Sequence, residues 1–123
     1  MPPEPVQGFA DAINRADLDA ALQVCHPKIE FLSILAVGGG RYVGHAGIRR
    51  YFEDVASAWA EWSVEVHGVE PLPDGRVEIV MTMNARGSGS GARLSERTAH
   101  IWTLRDGRLL RNEPVRRPDL GPE

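Results

Sequence analysis

Apolar residues near the start of the chain recur at three- and four-residue spacing, which predicts amphipathic helices. A first helix would bury one face, made of Val6, Phe9, Ala10 and Ile13. Asp17 is a natural N-cap for a short second helix, which carries Cys25 near its end and stops before Pro27. A third helix, from His45 to about Ala60, has the clearest apolar stripe, formed by Ile48, Tyr51, Phe52, Val55 and Trp59.

The remaining apolar segments alternate with a period of two, which is typical of strands. One strand is expected to begin at Ile29 and to end before the triple glycine at positions 38–40, and a short extended piece at 41–44 precedes the third helix. Four more strands are predicted, over 63–70, from Val77 through Met83, from Thr98 to Leu104, and from Leu109 to Val115. A glycine-rich connection and an Asp106-Gly107 turn join the last three. Pro114 suggests that the last strand frays at its end or lies at an edge.

Helices early in the chain, followed by an antiparallel meander, predict an α+β fold with the helices packed on one face of a curved sheet. At 123 residues the chain has the usual size of one domain, so we expect a single domain over 1–123. The residues at 1–5 and 116–123 are expected to be loose tails, because both are rich in proline.

Composition and charge exclude several classes of function. A net charge of −3 gives no electrostatic reason to bind nucleic acid or an anionic membrane. No apolar run approaches the roughly 20 residues of a membrane span, and the first residues lack the features of a signal peptide. Cys25 is the single cysteine, which precludes an intramolecular disulfide and fits a reducing cytoplasm. The four histidines are far apart in sequence, so no metal site is expected.

Several stretches in this order resemble SnoaL-like proteins, within the nuclear-transport-factor-2-like superfamily. They are the stretches at 9–22, at 42–52, at 87–91 and at 101–111, so the resemblance runs from about residue 5 to residue 115. It implies a bent sheet wrapped by three N-terminal helices into a cone, with one pocket per subunit and a homodimer through the outer face of the sheet. Such proteins include ketosteroid isomerases, limonene-epoxide hydrolases, polyketide cyclases, dehydratases and proteins that only bind, so the fold does not decide the chemistry.

The sequence lacks the catalytic residues that the ketosteroid-isomerase and the limonene-epoxide-hydrolase mechanisms need. The isomerase pattern places Ser33 where the carboxylate base should stand, Phe9 where the tyrosine should stand, and His100 where the neutral acid should stand. Serine is too weak a base to abstract a proton from carbon, and phenylalanine donates no hydrogen bond. An epoxide hydrolase needs an aspartate-arginine-aspartate arrangement, whereas the aspartates of the second half are predicted in turns or in the tail.

The polyketide-cyclase pattern leaves His100 with Asn112 or Glu113 as the candidate catalytic residues. Pairing around the Asp106-Gly107 turn places His100 opposite Glu113, where the carboxylate would orient the imidazole. A shift of one residue would instead turn Glu113 outward and bring Asn112 inward, as the isomerase-like matching favours. Both alternatives remain open at this point.

Apolar and small residues around this histidine are expected to bind the ligand. The candidate lining consists of Phe9, Ser33, Tyr42, Phe52, Trp59, Met81, Met83 and Trp102. Related folds place Tyr42 and Trp59 near the mouth of the pocket. The sequence thus predicts a pocket for a small apolar molecule, cyclic and terpenoid- or polyketide-like, and a lyase, isomerase or cyclase that needs no cofactor. The alternative is a ligand-binding or dimerisation module without turnover.

Overall fold

The computed structural model describes residues 4–33 and 40–115, which form three helices and six strands. The helices are α1 (Glu4–Arg15), α2 (Leu18–Val24) and α3 (Gly44–Ala58). The strands are β1 (Cys25–Leu32), β2 (Arg41–Val43), β3 (Trp59–Pro71), β4 (Val77–Gly87), β5 (Arg93–Arg105) and β6 (Arg108–Val115). The triple glycine up to Gly39, residues 1–3 and 116–123 of the two predicted tails, and the predicted strand residues Ile34 and Leu35 lie outside the described residues. The prediction that residues 4 and 5 belong to a loose tail is wrong, because they form the first turn of α1.

The first two helices follow the predicted pattern. On α1, Val6, Phe9 and Ala10 are buried. Asp17 caps α2 as predicted, because its carboxylate accepts a hydrogen bond from the backbone N–H of Ala20. The end of α2 is one residue earlier than predicted, since Cys25 has extended backbone angles and begins β1.

The third helix buries Ile48 and Tyr51 against the sheet. Gly47 allows this close packing, because a Cβ there would lie 2.9 Å from the backbone of Tyr42. The helix ends before Trp59, which was predicted on its apolar stripe but is instead the first residue of β3. Trp59 therefore projects from the start of a strand, next to the end of the helix.

All six strands form one mixed sheet in the order β2-β1-β6-β5-β4-β3. The β1–β6 pair is parallel and the other pairs are antiparallel. The helices pack against one face, where Phe9, Ile48 and Tyr51 join Ile79 and Trp102 of the sheet in the main core cluster. The predicted α+β fold with helices on a curved, mostly antiparallel sheet is therefore confirmed. β6 is an interior strand rather than an edge, and Pro114 lies beyond the last residue that pairs with β1.

A β-bulge decides which residues of β6 face the helices. Asp106 and Gly107 both have positive φ angles, 53° and 73°, as the predicted two-residue turn requires, and Arg105 pairs with Arg108 as expected. The register shifts by one residue between Thr103 and Leu104, so that His100 lies opposite Pro114. The prediction that Glu113 lies opposite His100 is therefore wrong, because the bulge inserts one extra residue and turns the side chains beyond it to the other face.

Candidate functional site

A small cavity lies between α1, α3 and the sheet, and we call it the inner cavity. Its volume is about 40 Å³. Apolar side chains make up most of its wall, and four polar ones, Ser33, Tyr51, His100 and Asn112, complete it. The apolar members are Val6, Phe9, Ala10, Ile13, Phe31, Val64, Val66, Met81, Met83 and Trp102. It is therefore an apolar chamber with its polar groups on a few neighbouring elements, the usual composition of a small-molecule site.

Asn112 is 2% exposed and lies on β6 directly opposite Trp102 of β5. Its Nδ2 donates a hydrogen bond of 2.8 Å to the backbone oxygen of Leu32 at the end of β1. This bond fixes the orientation of the amide, because the donor end of the side chain is occupied by the main chain of the neighbouring strand. Its Oδ1 is therefore left as a hydrogen-bond acceptor on the inward face of the sheet.

His100 lies two residues before Trp102 on the same face of β5 and is 5% exposed. Its Nε2 is 3.1 Å from the hydroxyl oxygen of Thr98. Burial lowers the pKa of His100 to about 4, and the neighbouring amide of Asn112 acts against this by a smaller amount. The imidazole is therefore neutral at pH 7, with one nitrogen that donates a hydrogen bond and one that accepts.

Three buried polar atoms on neighbouring residues of the wall have no hydrogen-bond partner in good geometry among the residues that the structure describes, although the Asn112 amide is near enough to His100 to favour its protonated form. They are His100 Nδ1, Trp102 Nε1 and Asn112 Oδ1. An unpartnered buried polar atom costs about 1–3 kcal/mol, so three together are unfavourable in a site that is purely structural. The set contains one acceptor, one donor and one nitrogen that can be either. It is complementary to a hydroxyl or a carbonyl group.

A second cavity, which we call the outer cavity, lies beside the first and has a volume of about 480 Å³. Its wall is formed by the end of α1, the second half of α3 and the start of β3. The wall consists of Ile13, Asn14, Ala16, Tyr51, Phe52, Val55, Ala56, Trp59, Ala60, Glu61 and Trp62. Ile13 and Tyr51 line both cavities, so their side chains form the wall between the two spaces. Several of the other residues are exposed, which opens the outer cavity to solvent.

Most of the predicted site residues lie in one of these two spaces. The inner cavity brings together Phe9, Ser33, Met81, Met83, His100, Trp102 and Asn112. Phe52 and Trp59 line the outer cavity instead. Trp59 is thus near the opening, where it was predicted.

Two predicted residues lie elsewhere. Tyr42 is buried in the core, outside both walls, and its hydroxyl donates a 2.7 Å hydrogen bond to Asp54. Glu113 lies on the opposite face of the sheet, where Arg76 and Arg111 each reach its carboxylate at 3.5 and 3.4 Å. A carboxylate held there by two guanidinium groups cannot orient the imidazole of His100, so Glu113 is not part of this site.

Sequence reasoning missed the contribution of Tyr51 and Trp62. Tyr51 was assigned to the apolar stripe of α3, where it does contact the ring of Phe31 with centroids 4.6 Å apart. Its hydroxyl also lies near Trp62, whose Nε1 otherwise makes no hydrogen bond in the described part of the chain. The phenol pKa is raised by burial, so the hydroxyl stays protonated at any ordinary pH. The alternation of Trp62 with Val64 and Val66 was the signal that could have located this residue on the inward face.

No group of three histidine, cysteine, aspartate or glutamate residues within 4–33 and 40–115 is arranged to hold a metal ion. None of the described helices is long and apolar enough to cross a membrane.

The sequence pattern of the SnoaL-like domain matches residues 6–112, and the chain therefore belongs to the SnoaL-like domain family. A comparison with curated proteins finds no significant match. Solved structures with the nuclear-transport-factor-2-like fold are similar to this chain over most of its length. They confirm the family fold that the sequence resemblance implied.

Three of these structures carry small molecules. TerC co-crystallised with polyporic acid has 24% sequence identity and a TM-score of 0.79, covering 91% of this chain and 88% of TerC. A hypothetical protein with a ketosteroid-isomerase-like fold from Catenulispora acidiphila, in complex with trimethylamine, has 14% identity and a TM-score of 0.81, covering 96% of this chain and 88% of that protein. A Mycobacterium tuberculosis protein in complex with estradiol-17β-hemisuccinate has 10% identity and a TM-score of 0.77, covering 95% and 94%. At these identities the likeness establishes the fold alone.

Proposed function

We propose that this protein binds a small, largely apolar cyclic molecule through one hydroxyl or enolisable carbonyl group at His100 and Asn112. We further propose that it catalyses a proton transfer on that molecule without a cofactor, as a lyase, isomerase or cyclase. The observation that carries the proposal is the set of unpartnered buried atoms on His100, Trp102 and Asn112 in an otherwise apolar wall. Similar folds that hold polyporic acid and estradiol-17β-hemisuccinate support a ligand of this kind.

One oxygen atom of a ligand satisfies most of these groups. A hydroxyl or enol oxygen can donate its proton to Asn112 Oδ1 and accept a hydrogen bond from His100 Nδ1 when that nitrogen is protonated. The buried Trp102 Nε1–H in the same wall is a further donor for a polar group of the ligand. The amide of Asn112 cannot rotate freely to avoid this role, because its other end is bonded to Leu32. The site therefore favours a hydroxyl or an enol over an ester or an ether, which lack the proton that Asn112 accepts.

His100 supplies the chemistry because it is neutral. The imidazole takes up a proton in the tautomer that carries its own proton on Nε2, because the lone pair is then on Nδ1, the nitrogen with no protein partner in good geometry among the described residues. The resulting imidazolium, with its low pKa, returns the proton from Nδ1 to another atom of the substrate. Apolar surroundings strengthen each hydrogen bond to a developing enolate oxygen. These two effects together are suited to moving a proton between the carbons and the oxygen of a cyclic ketone.

The second candidate function is ligand binding without turnover. It is favoured by the composition of the inner wall, where the described residues include no carboxylate and His100 and Tyr51 are the titratable side chains among them. A buried tyrosine with a raised pKa does not act as a base at neutral pH. Catalysis therefore depends on a single imidazole.

Exchange of ketone α-protons with solvent deuterium distinguishes the two functions. We would incubate the protein in D₂O with 2-tetralone, a small cyclic ketone with acidic α-protons, and follow deuterium uptake by NMR. Catalysed uptake should fall by about a hundredfold or more in His100→Gln, the range typical of a lost general base, and should be unchanged in Glu113→Gln. Equal uptake with His100→Gln and the parent protein would refute catalysis by His100. Saturable binding of 2-tetralone without any catalysed uptake would favour the binding module.

A further inference from the structure

The inner cavity is too small to hold a ring in its present shape. Its volume of about 40 Å³ compares with the roughly 150 Å³ of a cavity that accommodates benzene. The outer cavity, at about 480 Å³, lies within the range of about 300–1,000 Å³ that small-molecule sites occupy. A ligand whose polar group reaches His100 therefore has most of the available space on the far side of Ile13 and Tyr51.

The wall between the two cavities consists of two side chains, and Tyr51 is held by more contacts between rings than Ile13 is. Tyr51 is held by ring contacts with Phe31, Tyr42 and Phe52, at centroid distances of 4.6, 5.3 and 6.0 Å. Ile13 is a half-buried aliphatic side chain near the end of α1 and has no polar group to hold it in place. Ile13 packs against both apolar clusters and its χ1 angle is restricted in a helix, so joining the two spaces takes a small displacement of this side chain, which disturbs no ring contact, whereas moving Tyr51 would break three.

The outer cavity offers aromatic surface in the right place for a second ring. Trp59 and Trp62 lie with ring centroids 5.9 Å apart and an interplanar angle of 37°, and Phe52 of α3 lines the same cavity. Aromatic rings that line an open cavity favour a flat apolar group, because offset and edge-on ring contacts add to the gain from burying the surface. The acidic side chain at this opening, Glu61, is paired with Arg86, so the lining presents little free charge to such a ring.

We infer that the two cavities are halves of one binding site and that its ligand is an elongated molecule of two linked rings. The hydroxyl-bearing ring lies at His100 and Asn112, and the apolar second ring lies against Trp59, Trp62 and Phe52, with Ile13 displaced between them. This inference rests on the proposed function and specifies its class of substrate. It goes beyond a pocket for a single ring by assigning a separate part of the ligand to the start of β3.

Two phenols that differ only by the second ring test this. Phenol and 4-phenylphenol share the hydroxyl group, and the second ring of 4-phenylphenol extends opposite to it. The chain has three tryptophans, so its indole N–H signals in a ¹H–¹⁵N NMR spectrum report separately on Trp102 in the inner cavity and on Trp59 and Trp62 in the outer one. Trp→Phe variants assign the three signals. Both ligands should shift the Trp102 signal, and 4-phenylphenol alone should also shift those of Trp59 and Trp62.

Two substitutions sharpen the result. Trp59→Leu, which keeps an apolar side chain, should weaken 4-phenylphenol about tenfold and leave the affinity for phenol unchanged. Ile13→Ala should strengthen 4-phenylphenol binding relative to phenol, whereas the control truncation Val69→Ala, outside both walls, should leave this ratio unchanged. Thermal unfolding of each variant confirms that it is folded.

The possible failures separate the inference from the function on which it rests. If phenol shifts Trp102 but 4-phenylphenol is excluded, or if 4-phenylphenol shifts Trp59 and Trp62 without Trp102, the two cavities are not one site and the inference is wrong. If neither compound shifts Trp102 at millimolar concentration, the proposed binding at His100 is itself contradicted.

Discussion

Asn112 of β6 lies directly opposite Trp102 of β5, which places its amide beside the imidazole of His100 on the buried face of the sheet. Its neighbour Glu113 faces the other way, towards Arg76 and Arg111. The proposed acid–base site is therefore an imidazole with an amide, and none of the described residues in the wall of the inner cavity brings a carboxylate that would raise the basicity of His100. The predictions below follow from that arrangement.

Replacing Asn112 should damage both binding and stability, whereas replacing Glu113 should damage neither strongly. Asn112→Ala removes the acceptor for the ligand hydroxyl and the bond to Leu32, so phenol affinity should fall about tenfold and the free energy of unfolding by about 1–3 kcal/mol. Glu113→Gln is the matched control, because it changes only the outer face of the same strand. Calorimetric titration with phenol and chemical denaturation measure the two effects; a loss of affinity in Glu113→Gln equal to that in Asn112→Ala would refute the assignment.

The free energy of unfolding should become smaller as the pH is lowered, because the buried His100 resists protonation in the folded protein. Its pKa is about 4 in the folded protein and about 6.5 in the unfolded chain, so between these values the unfolded chain binds a proton that the folded protein does not. The contribution is therefore complete above about pH 6.5 and is lost as the pH falls towards 4, by roughly 3 kcal/mol in total.

The neutral variant His100→Gln isolates this effect from the titration of carboxylates, which also changes stability below pH 5. Urea denaturation of both proteins between pH 7.5 and 4 should show a parent protein that loses more stability than the variant over this range. Parallel curves would mean that His100 is accessible to protons in the folded state.

The protonated nitrogen of His100 should be Nδ1. Asn112 Oδ1 can only accept, so the tautomer that places a proton on Nδ1 is favoured, and Nε2 then accepts from the hydroxyl of Thr98 at 3.1 Å. The ¹⁵N chemical shifts of the imidazole at pH 7 distinguish the tautomers directly. Thr98→Val removes the donor to Nε2 and should leave the proton on Nδ1. A proton found on Nε2 in the parent protein would instead make Nδ1 a free acceptor and reverse the direction of the proposed ligand bond.

Shortening Met83 should enlarge the inner cavity at a cost in stability. This side chain is 5% exposed, lines the cavity and packs in a small cluster with Ala10 and Val64. Met83→Ala should lower the free energy of unfolding by about 2–5 kcal/mol and should strengthen the binding of phenol, which then displaces less protein. Met83→Leu keeps the volume, so it should cost less than about 1.5 kcal/mol and leave phenol affinity near the parent value. Weaker phenol binding in Met83→Ala would show that the ring does not enter beside this residue.

The sequence was sufficient for the fold because each helix and strand carries its own local signal. The apolar spacing of α1, the cap at Asp17 and the turn at Asp106-Gly107 all depend on a few adjacent residues, and all three are present in the structure. The end of α3 before Trp59 was harder to predict from the sequence, since an aromatic residue at the end of an apolar stripe fits both a helix and the first position of a strand.

The site was only partly predictable because it depends on register. Counting outward from the turn gives the correct pair at Arg105 and Arg108, but a bulge near Thr103 changes every pair beyond it. Nothing in the local pattern marks that extra residue. The division into two cavities at Ile13 and Tyr51 depends on how two helices pack over the sheet, which the periodicity of either helix alone does not contain.

A crystal structure of the protein grown with a mixture of small cyclic phenols and ketones tests the central claim most directly. The account predicts electron density for a ring whose oxygen lies within hydrogen-bond distance of both His100 Nδ1 and Asn112 Oδ1, with the side chains of the inner wall moved apart to admit it. Density confined to the outer face of the sheet, or an inner cavity that stays closed at saturating ligand, would contradict it.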